Sequence, residues 1–315
     1  MAQYAPMKAI LVAAPFTDPR WLFERKLDGV RAGVVVERGG IRLISRSGQR
    51  MNATYPELVE LIGAAHLGGL VADGEIVAFE RGRTSFARLQ RRMQIRDPER
   101  ARRSGVAVYL YLFDLLELDG DDLRPAPLRE RKRRLRGAFR FHDGLRWTPY
   151  RIGDGEAAYR HACAHGWEGV IAKRADSPYV PVRSRDWRKI KCSCGQELLI
   201  GGWTAGRGAR GRLGALLLGY WAGDRLRYAG KVGTGFDSEE VNRLADELER
   251  RERPTPPFTD RGLPRAARWA EPELVAQIAF TEWTEDGRLR HPRYLGLRQD
   301  KPAREVVREL PAERG

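Results

Sequence analysis

Eight residues, Glu24-Arg25-Lys26-Leu27-Asp28-Gly29-Val30-Arg31, sit between two β-rich stretches and constrain the fold more than any other part of the chain. The apolar Trp21-Leu22-Phe23 leads in and Val34-Val35-Val36 follows. Lys26 therefore falls at a strand end, with Asp28-Gly29 forming the bend. Backbone geometry holds such a lysine in place, and it becomes a nucleophile once its ammonium loses its proton. Taken alone, the pattern fits a tight turn with a solvated lysine equally well, so its meaning depends on the rest of the chain.

At 315 residues the chain is long for one domain, and two are expected. A hydrophobic fraction of 42% is enough for packed cores and excludes a disordered protein. Lys plus Arg number 57 against 42 for Asp plus Glu, a net +15 that favours a polyanionic partner such as nucleic acid. An arginine-rich proteome would produce the same excess. Three cysteines (Cys163, Cys192, Cys194) are too few and too late for a disulfide framework, and they fit a reducing compartment. Cys192-Ser193-Cys194 lacks a second Cys/His pair at ligand spacing, which argues against structural zinc. No apolar run approaches the ~20 residues of a membrane helix, and no secretory leader opens the chain. A cytoplasmic protein, monomeric by default, is expected.

From Trp21 to about Lys191, strands alternate with short helices. Gly39-Gly40 reads as a hairpin turn, 55–65 as a helix capped at Thr54, and 70–79 as a strand kinked at Asp73-Gly74. Residues 85–95 form an amphipathic helix with Phe86, Leu89 and Met93 on one side and arginines on the other. Val106–Leu116 is a central strand, and a very basic helix follows at 128–136. The texture changes after Cys194 to short strands and glycine-rich turns, one helix (238–251) and a proline-rich passage. About five short strands and one helix in ~100 residues suggest a small oligonucleotide-binding β-barrel. The expected domains are 1–193 and 194–315. Gly206-Arg207-Gly208-Ala209-Arg210-Gly211 matches the dinucleotide pattern by letter, but it precedes a strand and no βαβ unit surrounds it. A basic loop reaching toward phosphates is the better reading.

Five further segments complete a set around Lys26. Ser45-Arg46-Ser47-Gly48 places an arginine at a strand end, Ala72-Asp73-Gly74-Glu75 a carboxylate beside a bend, and Tyr111-Leu112-Phe113-Asp114 an aromatic face. Glu168-Gly169-Val170-Ile171-Ala172-Lys173 opens a strand with a second carboxylate. Trp187-Arg188-Lys189-Ile190-Lys191 points two lysines to one face, because alternate residues of a strand share a face. Attack on an α-phosphate needs a neutral amine. Lys189, Lys191 and Arg31, together with burial, are expected to lower the Lys26 pKa and then hold charge on the phosphate. Glu75 and Glu168 suit a hard divalent ion such as Mg²⁺ or Mn²⁺, and Phe113 can stack on a base. Each element alone is ordinary; six in this order are not.

The ordered set resembles the covalent nucleotidyltransferases, the superfamily of ATP-dependent polynucleotide ligases and RNA-capping guanylyltransferases. The resemblance implies an α+β adenylation domain of antiparallel sheets with flanking helices, followed by an OB-fold barrel. It implies that Lys26 is joined covalently to a nucleotide and that Glu24, Arg31, Arg46, Glu75 and Phe113 contact the ATP co-substrate. Glu75 and Glu168 would bind metal, and Lys189 and Lys191 would hold the α-phosphate. In the C-terminal part, Phe280-Thr281-Glu282-Trp283-Thr284 and Arg290-His291-Pro292-Arg293-Tyr294-Leu295-Gly296-Leu297-Arg298-Gln299-Asp300-Lys301 are similar to the ligase module of bacterial end-joining DNA ligases. Arg298 and Lys301 would then orient the pyrophosphate, and Arg290 less surely so. The implied activity is ATP-dependent sealing of nicked or broken double-stranded DNA. A Ku-like end-binding protein and separate polymerase and nuclease modules would be the partners, since the chain has no length for them. An RNA ligase, a capping enzyme or a catalytically silent end-binding relative are the alternatives. The basic segments 129–140 and 207–212 are candidate DNA contacts, and 192–196 a candidate hinge.

Overall fold

The computed structural model describes residues 4–65, 68–192, 195–206 and 211–311. The chain divides into two compact units, residues 1–192 with 310–315, and residues 193–309.

The first unit is built on two sheets. One has five strands in the order Lys8–Leu11, Arg183–Lys191, Gly169–Arg174, Asp18–Lys26, Tyr150–Gly153. The spine of the other runs Gly40–Ser45, Val30–Glu37, Leu70–Glu80, Val108–Leu118, Asp121–Asp122, with Arg83–Thr84 and Leu145–Trp147 pairing alongside. Pairing is antiparallel except where Lys8–Leu11 meets Arg183–Lys191 and where Val108–Leu118 meets Leu145–Trp147. The expected hairpin forms, with Glu37 opposite Gly40, whose φ of +107° costs a glycine little. The expected kink is a register shift against Val108–Leu118 between Asp73 and Gly74.

Helices cover the second sheet because their apolar stripes meet its buried face. Leu58 and Ile62 of Pro56–Ala65, and Phe86 and Leu89 of Phe86–Met93, join Val34, Leu43, Ala72, Leu110 and Leu112 in one core. Pro56 opens its helix where a missing N–H costs nothing. Ser85 caps the next helix by accepting from the Arg88 N–H at 3.1 Å. One arginine of that helix is not on the outer side. Arg92 is 1% exposed, and its guanidinium reaches the carbonyls of Thr54 and Val106 and the Glu57 carboxylate. Pairing of most of its donors is what makes this burial tolerable.

The basic helix, Leu128–Ala138, departs from expectation in the same way. Arg131 and Lys132 point inward, so neither can grip DNA. Arg131 holds the Asp114 carboxylate through two bonds of 2.7 and 2.9 Å, with both side chains fully buried, and also donates to the carbonyls of Ala126 and Ser177. Arg133 and Arg134 stay exposed and pair with Glu130.

In the second unit, Gly195–Thr204 pairs along its first half with Val275–Ala279 and along its second half with Ala267–Ala270. Sharing one long strand between two partners curls the sheet, as the expected OB-fold barrel requires. Ala215–Ala222, Arg225–Val232 and Arg293–Arg298 extend it, all antiparallel. The helix Ser238–Glu249, capped by Asp237, packs Val241, Leu244 and Leu248 against Leu198, Ile200, Trp203 and Leu216. Residues 193–194 of the candidate hinge and 207–210 of the glycine-rich basic loop lie outside the described residues. Arg212 is described, and it pairs with Asp246 and Glu249.

The expectation of free cysteines is overturned. Cys163, in the helix Gly155–Ala164, is bonded to Cys192 just beyond Arg183–Lys191, with Cα atoms 5.2 Å apart. The helix packs on the five-stranded sheet around Ala162, Val170 and Ile190, which brings together residues 29 apart in sequence. Such a bridge contributes about 2–4 kcal/mol. Reduction is therefore expected to lower the denaturation midpoint. The Cys163→Ser/Cys192→Ser protein should reproduce that midpoint and show no further response to reductant. Asp114→Ala leaves the Arg131 charge buried without its partner and is expected to cost about 3–5 kcal/mol in urea unfolding.

Candidate active site

Lys26 ends a strand of the five-stranded sheet, and Val30 begins a strand of the other. The Leu27-Asp28-Gly29 segment is thus the crossing between the two sheets. Asp28 is structural: its carboxylate accepts from the Phe86 N–H at 3.1 Å, at the start of the helix Phe86–Met93, and its own N–H donates to Thr84 Oγ1 at 3.3 Å. Gly29 is obligatory, since a Cβ there would lie 2.2 Å from the Ile76 carbonyl oxygen.

Strand register gathers the cationic face. Gly169 lies opposite both Lys26 and Lys191, and Ile171 opposite both Glu24 and Lys189. Directly opposed residues share a face, so Glu24, Lys26, Lys189 and Lys191 project from the same side. Glu168 enters at the head of this arrangement, its Oε2 2.6 Å from Lys26 Nζ. Gly169 has φ +150°, and a Cβ there would meet the Ile190 carbonyl oxygen at 2.0 Å.

The second sheet supplies the other wall. Arg31 lies opposite Glu75 across neighbouring strands, and Glu75 lies opposite Tyr111 on the Phe113 strand. A cavity of about 110 Å³ is lined from both sheets, by Glu24, Lys26, Arg31, Glu75, Phe113 and Lys173 among others. Arg31 is fixed by the fully buried Asp73 through bonds of 2.6 and 2.5 Å, and Tyr4 and Tyr179 each donate to the same carboxylate at 2.7 Å. Asp73, a strand neighbour of Glu75, was not singled out from the sequence. A charged residue in an apolar strand was the available signal.

Lys26 itself differs from expectation. Burial pulls its pKa down, but Glu168 above all, then Glu75 and Asp28, outweigh burial and raise it. The nearest charges are negative, so in the free protein the ammonium is held rather than stripped. Glu24 is a buried anion. Burial raises its pKa, but Lys132 at 2.5 Å and Lys173 at 2.8 Å overcome that and leave it lowered. Lys173, missed as a site residue, sits 4.0 Å from the Phe113 ring centroid and 4.1 Å from that of Trp187. Burial drives its pKa down to about 8 despite Glu24. Phe113 is consequently no bare platform: it is 7% exposed, with Lys173 at one approach and the Arg31 guanidinium 4.7 Å from its centroid.

Six expected residues are not part of the cavity lining: Glu168, which pairs with Lys26, Lys189 and Lys191, which share the Lys26 face, and Arg46, Arg298 and Lys301. Arg46 does not line the cavity, and its Nε and Nη2 are buried with no hydrogen-bond partner. Arg298 and Lys301 belong to the second unit, where Arg298 binds Asp300 twice at 2.8 Å and Lys301 binds Glu197 at 2.9 Å. Among the described residues no cluster of three or more His, Cys, Asp or Glu forms a ready metal site. Glu75 and Glu168 do offer hard oxygen donors around Lys26, a set that fits a divalent ion completed by phosphate oxygens and water.

Residues 2–191 match the family model described as ATP dependent DNA ligase domain, and residues 209–301 the ATP dependent DNA ligase C terminal region. The multifunctional non-homologous end joining protein LigD of Pseudomonas aeruginosa is 38% identical over 98% of this chain and 37% of its own length. Its counterpart in Mycobacterium tuberculosis is 39% identical over 97% of this chain and 40% of its own. The chain thus spans about two-fifths of the length of these curated relatives. A solved structure described as mycobacterial DNA ligase D complexed with ATP and MES superposes with a TM-score of 0.68 at 36% identity, covering 97% of this chain and 98% of that one. Matched along most of its length by both models, the chain belongs to the ATP-dependent DNA ligase family.

Proposed function

We propose that the chain seals 5′-phosphate/3′-hydroxyl nicks in double-stranded DNA with ATP, through a lysyl-AMP on Lys26. One observation carries this reading: a lysine at a strand end, paired to a carboxylate, in a cavity walled by both sheets with an aromatic ring and further cations beside it. Lys26 Nζ attacks the α-phosphorus, the N–P bond forms, the bond to pyrophosphate breaks and the amine proton leaves. AMP then passes to the 5′-phosphate of the nick, and the 3′-hydroxyl displaces it.

The roles follow from chemistry. Glu24, Arg31, Arg46, Glu75 and Phe113 contact the nucleotide, with Phe113 toward the base. Lys189 and Lys191 neutralise the α-phosphate as its charge spreads in the transition state. Glu75 and Glu168 would hold Mg²⁺ or Mn²⁺, which when bound neutralises these carboxylates and screens the triphosphate. With Glu168 so engaged, the raised pKa of Lys26 would lose its main support, and the amine would be able to attack as the neutral form. Arg298 and Lys301, paired with Asp300 and Glu197, are assigned to the pyrophosphate by the family resemblance. The relatives are named for non-homologous end joining, which supports end joining as the setting; a Ku-like end-binding protein and separate polymerase and nuclease modules are the partners this reading calls for. A cytosolic monomer meets these requirements, and no helix among the described residues is long and apolar enough to cross a membrane.

Incubation with α-labelled ATP and Mg²⁺, a denaturing gel and mass mapping should place the label on Lys26. Lys26→Ala is expected to abolish labelling and ATP-driven sealing, while closure of a nick supplied already adenylylated survives in part. An adduct on another side chain, or sealing of nicked RNA in preference to nicked DNA, would overturn this reading.

A further inference from the structure

Lys132 was legible only as one charge in a basic helix, yet it is 1% exposed and reaches three residues of the cavity wall. Its ammonium donates to Glu24 Oε1 at 2.5 Å and to the carbonyl oxygens of Phe113 and Thr148, each at 3.3 Å. All three acceptors line the cavity that contains Lys26. Lys173 closes the second oxygen of Glu24 at 2.8 Å, from a strand next to that of Glu24. The two lysines come from different elements and converge on one buried carboxylate, so its orientation and ionisation are set by the fold.

We propose that Lys132, seconded by Lys173, is a positioning residue for the nucleotide: it holds Glu24 as an ionised, acceptor-only group on the cavity wall, which favours a purine presenting an N–H donor there. An ionised carboxylate has about four lone-pair directions and no proton to give. Two directions are spent on the lysines, and the remaining ones can accept from the 6-amino group of adenine. The 6-carbonyl of guanine placed at the same point would face a carboxylate with no donor between them, the kind of mismatch that discriminates strongly in a buried site. Lys132 also fixes the Phe113 and Thr148 backbones, so it acts on the base and not on the phosphates. The inference deepens the proposed ATP-dependent reaction and rests on it.

The test separates recognition of the base from a general loss of activity. Lys132→Met keeps the length of the side chain and removes its charge. Its KM for ATP in Lys26 adenylylation is expected to rise at least tenfold and its preference for ATP over GTP to fall at least tenfold. Lys132→Arg should recover part of the ATP preference, and Lys173→Met should fail in the same direction as Lys132→Met. If Lys132→Met is too unstable to isolate, Lys173→Met and Lys132→Arg carry the same readouts. An equal loss with ATP and with GTP would mark Lys132 as merely structural and overturn the inference, as would unchanged KM and unchanged preference in a folded variant. Absence of any adduct in the wild-type protein would instead sink the underlying reaction, so the two failures are distinguishable.

Discussion

A carboxylate taken out of water must meet a cation or lose its charge, and the first unit is organised around that demand. Asp73 is fully buried and collects Arg31, Tyr4 and Tyr179. Glu24 collects Lys132 and Lys173, and Asp114 collects Arg131. Each of these contacts joins segments distant in sequence, and together they fasten the amino-terminal segment, both sheets and the basic helix to one cavity. Apolar packing alone would tolerate small sliding of one sheet against the other. Charged hydrogen bonds of fixed direction do not.

Not every pair around the cavity is of this permanent kind. Lys26 and Glu168 are 18% and 24% exposed, and Arg31 is held from behind while its approach to the cavity stays open. Solvent access makes the Lys26–Glu168 pair exchangeable at modest cost, whereas the Arg131–Asp114 pair has no solvent to exchange with. The gradient from sealed to exchangeable pairs runs toward Lys26. Rigid support behind and replaceable partners in front are what a site needs if its ligands are anions that arrive and leave.

How much of this was legible depends on the range of the interaction. Local pattern located the Lys26 strand end, the Gly39-Gly40 hairpin and the helix stripes of Leu58, Ile62, Phe86 and Leu89, because period and turn chemistry act over a few residues. Motif order singled out Glu75 and Phe113, which line the Lys26 cavity, Glu168, which pairs with Lys26, and Lys189 and Lys191, which share its face. The short strands Lys8–Leu11, Leu145–Trp147 and Tyr150–Gly153 went unread, since three or four residues give no periodicity. Inward-facing cations were the larger gap. Arg92, Arg131 and Lys132 stand in helices rich in other basic residues, and only the position of a distant carboxylate tells which of them turns inward. The cysteine bridge was hidden for the same reason, as 29 residues separate its ends. Among the described residues four buried cations (Arg92, Arg131, Lys132 and Lys173) are balanced by four buried anions (Glu24, Asp73, Asp114 and Asp300), so the net charge of +15 is carried by the groups nearer solvent.

The raised pKa of Lys26 turns an apparent inconsistency into a requirement. A nucleophile prepared in advance would be a neutral amine, yet Glu168, Glu75 and Asp28 outweigh burial and keep the ammonium charged in the free protein. In the proposed reaction the partner of that ammonium, Glu168, is also a carboxylate that would hold the metal, and its engagement there would remove the charge that held the proton. Activation is then a consequence of binding rather than a standing property of the lysine. On that proposal the unliganded protein would hold Lys26 as a cation, and the amine would become reactive only with the phosphate bound. Lys189 and Lys191, expected from the sequence to prepare the amine, act later in this scheme: their charge matters once the phosphorus begins to carry more of its own.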